Sequence, residues 1–118
     1  MKTTVVIPNY NGRNYLQDCL TSLLEGSEVP AIIVVDNGSV DESAAMVKEK
    51  FPMVKLIALP ENRGFSAAVN IGIREAGTEY VFLLNNDTVV LKETIEELEA
   101  AMERHPKAFS VAAKMLQM

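Results

Sequence analysis

The chain has no tryptophan, one cysteine, one histidine and few aromatics, only 6% of its residues. Each scarcity removes a class of function. With Cys19 alone, no internal disulfide can form, so the fold must rest on its core. The place of Cys19 on an apolar helical stripe reads as a buried thiol, not a nucleophile. With so few Cys and His, zinc ligation is excluded. His105 stands at a helix end before Pro106, where an imidazolium suits the helix dipole, so neither Ser-His-Asp nor Cys-His catalysis has a credible histidine. Basic clusters are also missing and the net charge is −5, which argues against nucleic acid as a partner, because phosphate contacts need Lys and Arg density. No apolar run is long enough to span a bilayer. Met1 to Pro8 lacks the length and cleavage site of a signal peptide. A reducing, cytoplasmic setting is therefore expected. Both standard glycine-rich phosphate cradles, G-x-G-x-x-G and G-x-x-x-x-G-K-[ST], are absent.

What is present is apolar sequence in short blocks. Apolar residues make up 48% of the 118 residues, enough for the core of a single domain. Thr3 to Ile7, Ala31 to Val35, Val54 to Leu59 and Tyr80 to Leu84 are short β-branched or apolar runs that read as strands. Between them, Leu16, Cys19, Leu20, Leu23 and Leu24 recur at helical spacing. Ser39 and Glu42 have the spacing of a capping box for a helix reaching about Lys50. Phe65 to Glu75 reads as a third helix. Lys92 to about Arg104 reads as a fourth, with Ile95, Leu98 and Met102 inward. Phe109 to Ala113 reads as a last strand. The expected order is β-α-β-α-β-α-β-α-β, an α/β, Rossmann-like, mostly parallel sheet with helices on both faces. Strands apolar throughout, the Tyr80 strand among them, should be buried on both sides.

Polar residues follow three of these strands at once: Pro8-Asn9-Tyr10-Asn11, Asp36-Asn37-Gly38-Ser39 and Asn85-Asn86-Asp87. In open α/β sheets, ligands bind outside the carboxyl ends of the strands. Tyr10 offers a flat face and a hydroxyl, or else caps the core. Asp36 can accept hydrogen bonds from a ring N–H or a ribose, or cap the following helix. Arg63, in a Gly-containing loop, can meet a phosphate or a base carbonyl, pair with Asp36, or stay solvated. Asp87 is the metal candidate: Mg²⁺ or Mn²⁺ takes few protein carboxylates and fills its shell with diphosphate oxygens and water.

Four ordered motifs carry a family resemblance: Val-Val-Ile-Pro-Asn-Tyr-Asn at 5–11, Val-Val-Asp-Asn-Gly-Ser-Val-Asp at 34–41, Glu-Asn-Arg-Gly-Phe-Ser-Ala-Ala-Val-Asn at 61–70 and Leu-Leu-Asn-Asn-Asp at 83–87. Together they resemble the nucleotide-binding half of a family 2 glycosyltransferase with the GT-A fold, most of all its rhamnosyltransferase-like branch. The resemblance implies a single nucleotide-diphospho-sugar-binding domain over 1–118, short of a full transferase domain. It implies a UDP- or dTDP-linked donor, a divalent cation, and transfer with inversion to a glycan or lipid-linked acceptor. It places Pro8, Tyr10, Asn11, Asp36, Asn37, Arg63, Asn86 and Asp87 at the nucleotide, with Asp87 also at the metal.

Asn85 stands where the Asp-x-Asp motif of the family begins with Asp, one charge fewer at the cation. The acceptor site and the general base are expected beyond Met118. A donor-binding module without turnover is thus the alternative to an enzyme. A receiver- or flavodoxin-like signalling domain is the remote one, since it expects an acidic pair where Pro8-Asn9-Tyr10-Asn11 stands. A sheet left open near Phe109 to Met115 is expected to pair with a second copy. The same resemblance suggests polysaccharide or lipid-linked glycan assembly at the inner face of the membrane.

Overall fold

The structure is a computed structural model, and it describes residues 2–104 and 115–117. Four parallel strands, β1 (Thr3–Asn9), β2 (Ala31–Asp36), β3 (Lys55–Ala58) and β4 (Tyr80–Leu83), form one sheet in the order β3-β2-β1-β4. Helices α1 (Arg13–Leu24), α2 (Ser43–Lys50) and α3 (Phe65–Glu75) connect them. The handedness of parallel crossovers explains which face each helix takes. From β1 to β2 to β3 the chain steps in one direction, so α1 and α2 share a face. From β3 it returns across the sheet to β4, so α3 lies on the other.

The core divides accordingly. Val5 and Ile7 of β1 and Ile32 and Val34 of β2 pack with Leu16, Cys19 and Leu20 of α1 and Met46 and Val47 of α2. Val6, Ile33 and Val35 point the other way, onto Ala68 of α3. This is the period-two alternation of a strand covered on both sides. After β4 come β5 (Thr88–Val90), α4 (Thr94–Arg104) and β6 (Met115–Gln117). Ile95 and Leu98 of α4 join the α1 face. Lys2 at the start of the sheet reaches Glu103 of α4 at 2.9 Å. No helix among the described residues is long and apolar enough to cross a membrane.

Three expectations are corrected. First, the strictly alternating order fails after β4. Thr88–Val90 is a strand that pairs antiparallel with β6 as a two-stranded sheet. Three residues directly after an acidic turn carry too little periodicity to be seen. Second, β4 is not buried on both faces. It is one of the two outer strands of the four, its first three residues are only partly buried, and Leu83 is 46% exposed. An apolar run records composition, while burial depends on which strands pair, and here β1 and β2 hold the centre. Third, Ser39 and Glu42 form no capping box. Helix α2 starts at Ser43, and Glu42 adopts a left-handed φ of 68°. The carboxylate that serves the helix is Asp41. Its Oδ1 accepts from the backbone N–H of Ser43 at 3.0 Å, and its Oδ2 accepts from the Arg13 N–H of α1, also at 3.0 Å. One side chain thus satisfies the starts of two helices. The strand expected at Phe109 to Ala113, the interface expected near it and His105 lie outside the described residues.

Candidate functional site

The strand order reverses between β1 and β4, and a ligand crevice is expected beyond the carboxyl ends of the strands there. The loops after β2, β1 and β4 lie side by side at that end, as their polar sequences suggested. Residues of the first two loops, with the loop before α3, bound a small cleft of roughly 150 Å³. It is lined by Pro8, Asn9, Tyr10, Asn37, Asn62 and Phe65. Tyr10 is 50% and Phe65 59% exposed, so two aromatic rings stand at its rim. Such rings offer apolar faces for a planar ligand at low cost in side-chain entropy. A larger groove, about 440 Å³, runs between α1 and β5 along Asp18, Ser22, Glu25, Val90 and Lys92, and no strand-end residue named above lines it.

The polar side chains behind the cleft bind one another. Asn9 ends β1 in register with Asp36, which ends β2. Asp36 is 2% exposed. Its Oδ1 accepts from Asn9 Nδ2 at 3.0 Å and from the Ser39 hydroxyl at 2.6 Å, and its Oδ2 accepts from the Ser39 N–H at 3.1 Å. Of the protein roles open to Asp36, capping α2 does not occur. Neither does pairing with Arg63, since among the described residues Arg63 makes no ion pair. Asn37 is nearly as buried. Its Nδ2 donates to the Gly64 carbonyl at 3.0 Å and its Oδ1 accepts from the Arg63 N–H at 2.8 Å, so it clamps the loop before α3 against β2. The Arg63 side chain is left exposed. Asn11, with a left-handed φ of 51°, staples the first loop to the second. Its N–H donates to Ser39 Oγ at 2.8 Å, and its Oδ1 accepts from the Val40 N–H at 2.9 Å.

Beyond β4, Asn85 to Thr88 form a turn closed by the Thr88 N–H on the Asn85 carbonyl at 3.3 Å. Asn86 Nδ2 donates to Asn9 Oδ1 at 2.8 Å, which ties this turn to β1. Asp87 is half-buried and Asn85 exposed. Among the described residues, no three Asp, Glu, His or Cys side chains converge to hold a metal ion. A single carboxylate beside two carboxamides fits a hard cation that takes its remaining oxygens from a ligand and from water. It does not fit a cation caged by protein alone.

Cys19 lies beneath this turn, with its Sγ 3.8 Å from the Asn85 carbonyl. Burial, reinforced by the charge of Asp87, pushes its thiol up to about 12, although a backbone hydrogen bond from Thr88 opposes the shift. An ordinary cysteine thiol titrates near 9.0, so the thiolate fraction at neutral pH falls roughly a thousandfold, and the thiolate is the reactive form. Folded protein is therefore expected to resist a disulfide reagent at pH 8 and to react promptly once unfolded in guanidinium. Equal rates in the two states would refute a buried thiol.

The structure thus brings Pro8, Tyr10, Asn11, Asp36, Asn37, Asn86 and Asp87 to one end of the sheet, with the Arg63 backbone joined to them. Sequence reasoning passed over Asn9, Ser39, Asn62 and Phe65 as site residues. For Asn9 a signal existed: it is the last polar residue of a strand whose neighbour ends in Asp36.

A family model for glycosyl transferase family 2 matches residues 4–116. The glycosyltransferase GlyA of Streptococcus pneumoniae is 36% identical over 100 residues, covering 82% of this chain and 14% of that protein. A poly-β-1,6-N-acetyl-D-glucosamine synthase of Staphylococcus epidermidis is 35% identical over 106 residues, covering 86% of this chain and 26% of the synthase. Among solved structures, S. aureus TarS 1–349 in complex with UDP-GlcNAc superposes with a TM-score of 0.81 at 27% identity. It covers 90% of this chain and 32% of that one. The chain spans less than half the length of the curated relatives it matches. The mostly parallel sheet and its helices are those of the GT-A neighbours.

Proposed function

Because the chain belongs to glycosyl transferase family 2, we propose that it forms the donor-binding portion of a glycosyltransferase that takes a nucleotide-diphosphate sugar and transfers the sugar to an acceptor hydroxyl with inversion. One observation carries the reading. The loops after β1 and β2 line a cleft rimmed by Tyr10 and Phe65, and the adjoining loop after β4 carries the lone carboxylate of Asp87. In this reading Tyr10 and Phe65 flank the nucleoside, with Pro8 and Asn62 closing the cleft. Asp36, Asn37 and Asn11 hold the loops in place around it. The Arg63 guanidinium, free of a carboxylate partner among the described residues, faces the base carbonyls or the diphosphate. Asp87 and the Asn85 carboxamide hold Mg²⁺ or Mn²⁺. That cation, when bound, neutralises charge developing on the diphosphate leaving group.

The UDP-GlcNAc complex of TarS supports a uridine donor. The rhamnosyltransferase-like motifs support a dTDP one. The polysaccharide synthase relative supports a glycan acceptor.

Calorimetric titration with UDP and with dTDP, each with and without Mn²⁺, tests the reading. The expected result is metal-enhanced binding of one nucleotide by wild type. Asp87→Ala should weaken the metal-dependent affinity roughly 10- to 100-fold, the scale of a lost contact to a charged group. A folded wild-type chain that binds neither nucleotide would sink the proposal.

A further inference from the structure

The polar contacts behind the cleft have a direction. A carboxylate can only accept hydrogen bonds, so Asp36 obliges Asn9 to present its NH₂ group. Asn9 Nδ2 accordingly donates to Asp36 Oδ1 at 3.0 Å and lies 3.4 Å from Ser39 Oγ. That leaves Asn9 Oδ1 aimed the other way, where only a donor can meet it. Asn86 supplies one, its Nδ2 at 2.8 Å. The orientation of one buried carboxylate thus passes through Asn9 to Asn86, the residue immediately before Asp87. Asn9 is itself 2% exposed, and its backbone carbonyl accepts from the Asn37 N–H at 2.8 Å, so its main chain is held while its amide meets both partners. Space for the link is made by Gly12. A Cβ there would lie 2.2 Å from Asn86 Nδ2 and 2.9 Å from Asn9 Oδ1.

We propose that Asn9 is a positioning residue: it relays the fixed orientation of Asp36 to Asn86 and so sets the turn that presents Asp87 to the cation. The inference rests on the reading of Asp87 as the metal-facing group, yet half of its test needs no ligand. Asn9 borders the cleft but is 2% exposed, and both atoms of its amide are engaged by Asp36 and Asn86. Its loss should therefore change how the cation reinforces nucleotide binding more than it changes nucleoside binding itself.

Two measurements on wild type, Asn9→Val and Asn86→Ala decide it. The first is ¹⁵N relaxation of the free protein. In both variants the Asn86 and Asp87 amides are expected to fall from rigid order parameters near 0.85 to below about 0.6, while the amides of Ser43 to Lys50 keep theirs. Turn amides that stay rigid in both variants overturn the proposal. The second is titration with UDP and with uridine, with and without Mn²⁺. The Mn²⁺ enhancement of UDP affinity is expected to drop about tenfold, the scale of one hydrogen bond, a larger loss than that of uridine affinity. Equal losses for UDP and uridine would show a merely structural role and also overturn it. If wild type binds no UDP at all, the functional reading fails, and the relaxation data alone decide the positioning claim. Should Asn9→Val fail to fold, Asn86→Ala breaks the same link from its half-buried end.

Discussion

Asn9→Asp is expected to lower stability by about 3–5 kcal/mol at pH 7, the usual cost of an uncompensated buried charge, and to recover much of the loss near pH 4. The substitution is isosteric, so no cavity or clash contributes. What changes is one donor. Nδ2 of Asn9, which donates to Asp36 Oδ1 at 3.0 Å, becomes an oxygen facing another oxygen, with both residues 2% exposed. Two carboxylates at that distance cannot both ionise cheaply, so the folded state holds a shared proton more tightly than the unfolded chain does. The sign follows. The pair's folded pKa is raised above the unfolded value of roughly 3.9. The deficit is therefore complete above the raised pKa and fades as pH falls toward the unfolded one. Wild type supplies the baseline in urea melts from pH 4 to pH 8. A deficit that is constant over this range would mean that the bond from the Asn9 amide is not what satisfies Asp36. Asn86 can still donate to the new carboxylate, which separates this test from loss of the link to the turn.

The central fold was legible because β1 and β2 advertise themselves twice, by β-branched apolar runs and by the turn residues that stop them. That the loops after β1, β2 and β4 could meet at one end was also legible, from the polar residues that follow each of these strands; the order of the strands was not. What depended on pairing was not legible. The run Tyr80 to Leu84 is as apolar as Ala31 to Val35, yet β4 is an outer strand of the four and Leu83 is exposed. Thr88–Val90 acquires its strand character from β6, far along the chain.

The candidate site divides the same way. Asp36 and Asn37 stood out as polar residues after a strand, and residue type alone could not say where their polar atoms point. In the fold those atoms meet Asn9, Ser39, Arg63 and Gly64. The side chains left to face a ligand belong to Pro8 and Tyr10, which the sequence singled out, and to Asn62 and Phe65, which it did not. Asn9 was hidden for a similar reason: its importance lies in the register that sets it beside Asp36.

Gly38→Ala should cost roughly 2–5 kcal/mol and disorganise the cleft with it. Two penalties add. Gly38 has a φ of +79°, and an L-residue held there loses about 1–2 kcal/mol. Its Cβ would also stand 2.6 Å from the Glu61 carbonyl carbon and 2.7 Å from the Asn62 nitrogen. These are backbone atoms, with no rotamer to yield, so a typical overpacking cost of about 1–3 kcal/mol applies. The loop has nowhere to retreat without breaking the grip of Asn37 on Arg63 N and Gly64 O, at 2.8 and 3.0 Å. Those bonds hold Asn62 and Phe65 at the cleft. The variant is therefore expected to lose about 10 °C or more in melting temperature, given several degrees per kcal/mol for a chain of this size. It should also weaken nucleotide binding in whatever fraction remains folded. Gly77→Ala is the control. It has open space around its Cβ and no positive φ, so it should melt within a few degrees of wild type. A Gly38→Ala protein as stable as the Gly77→Ala one would mean that the loops after β2 and β3 do not meet as closely as the fold requires, and the cleft they build with β1 would go with them.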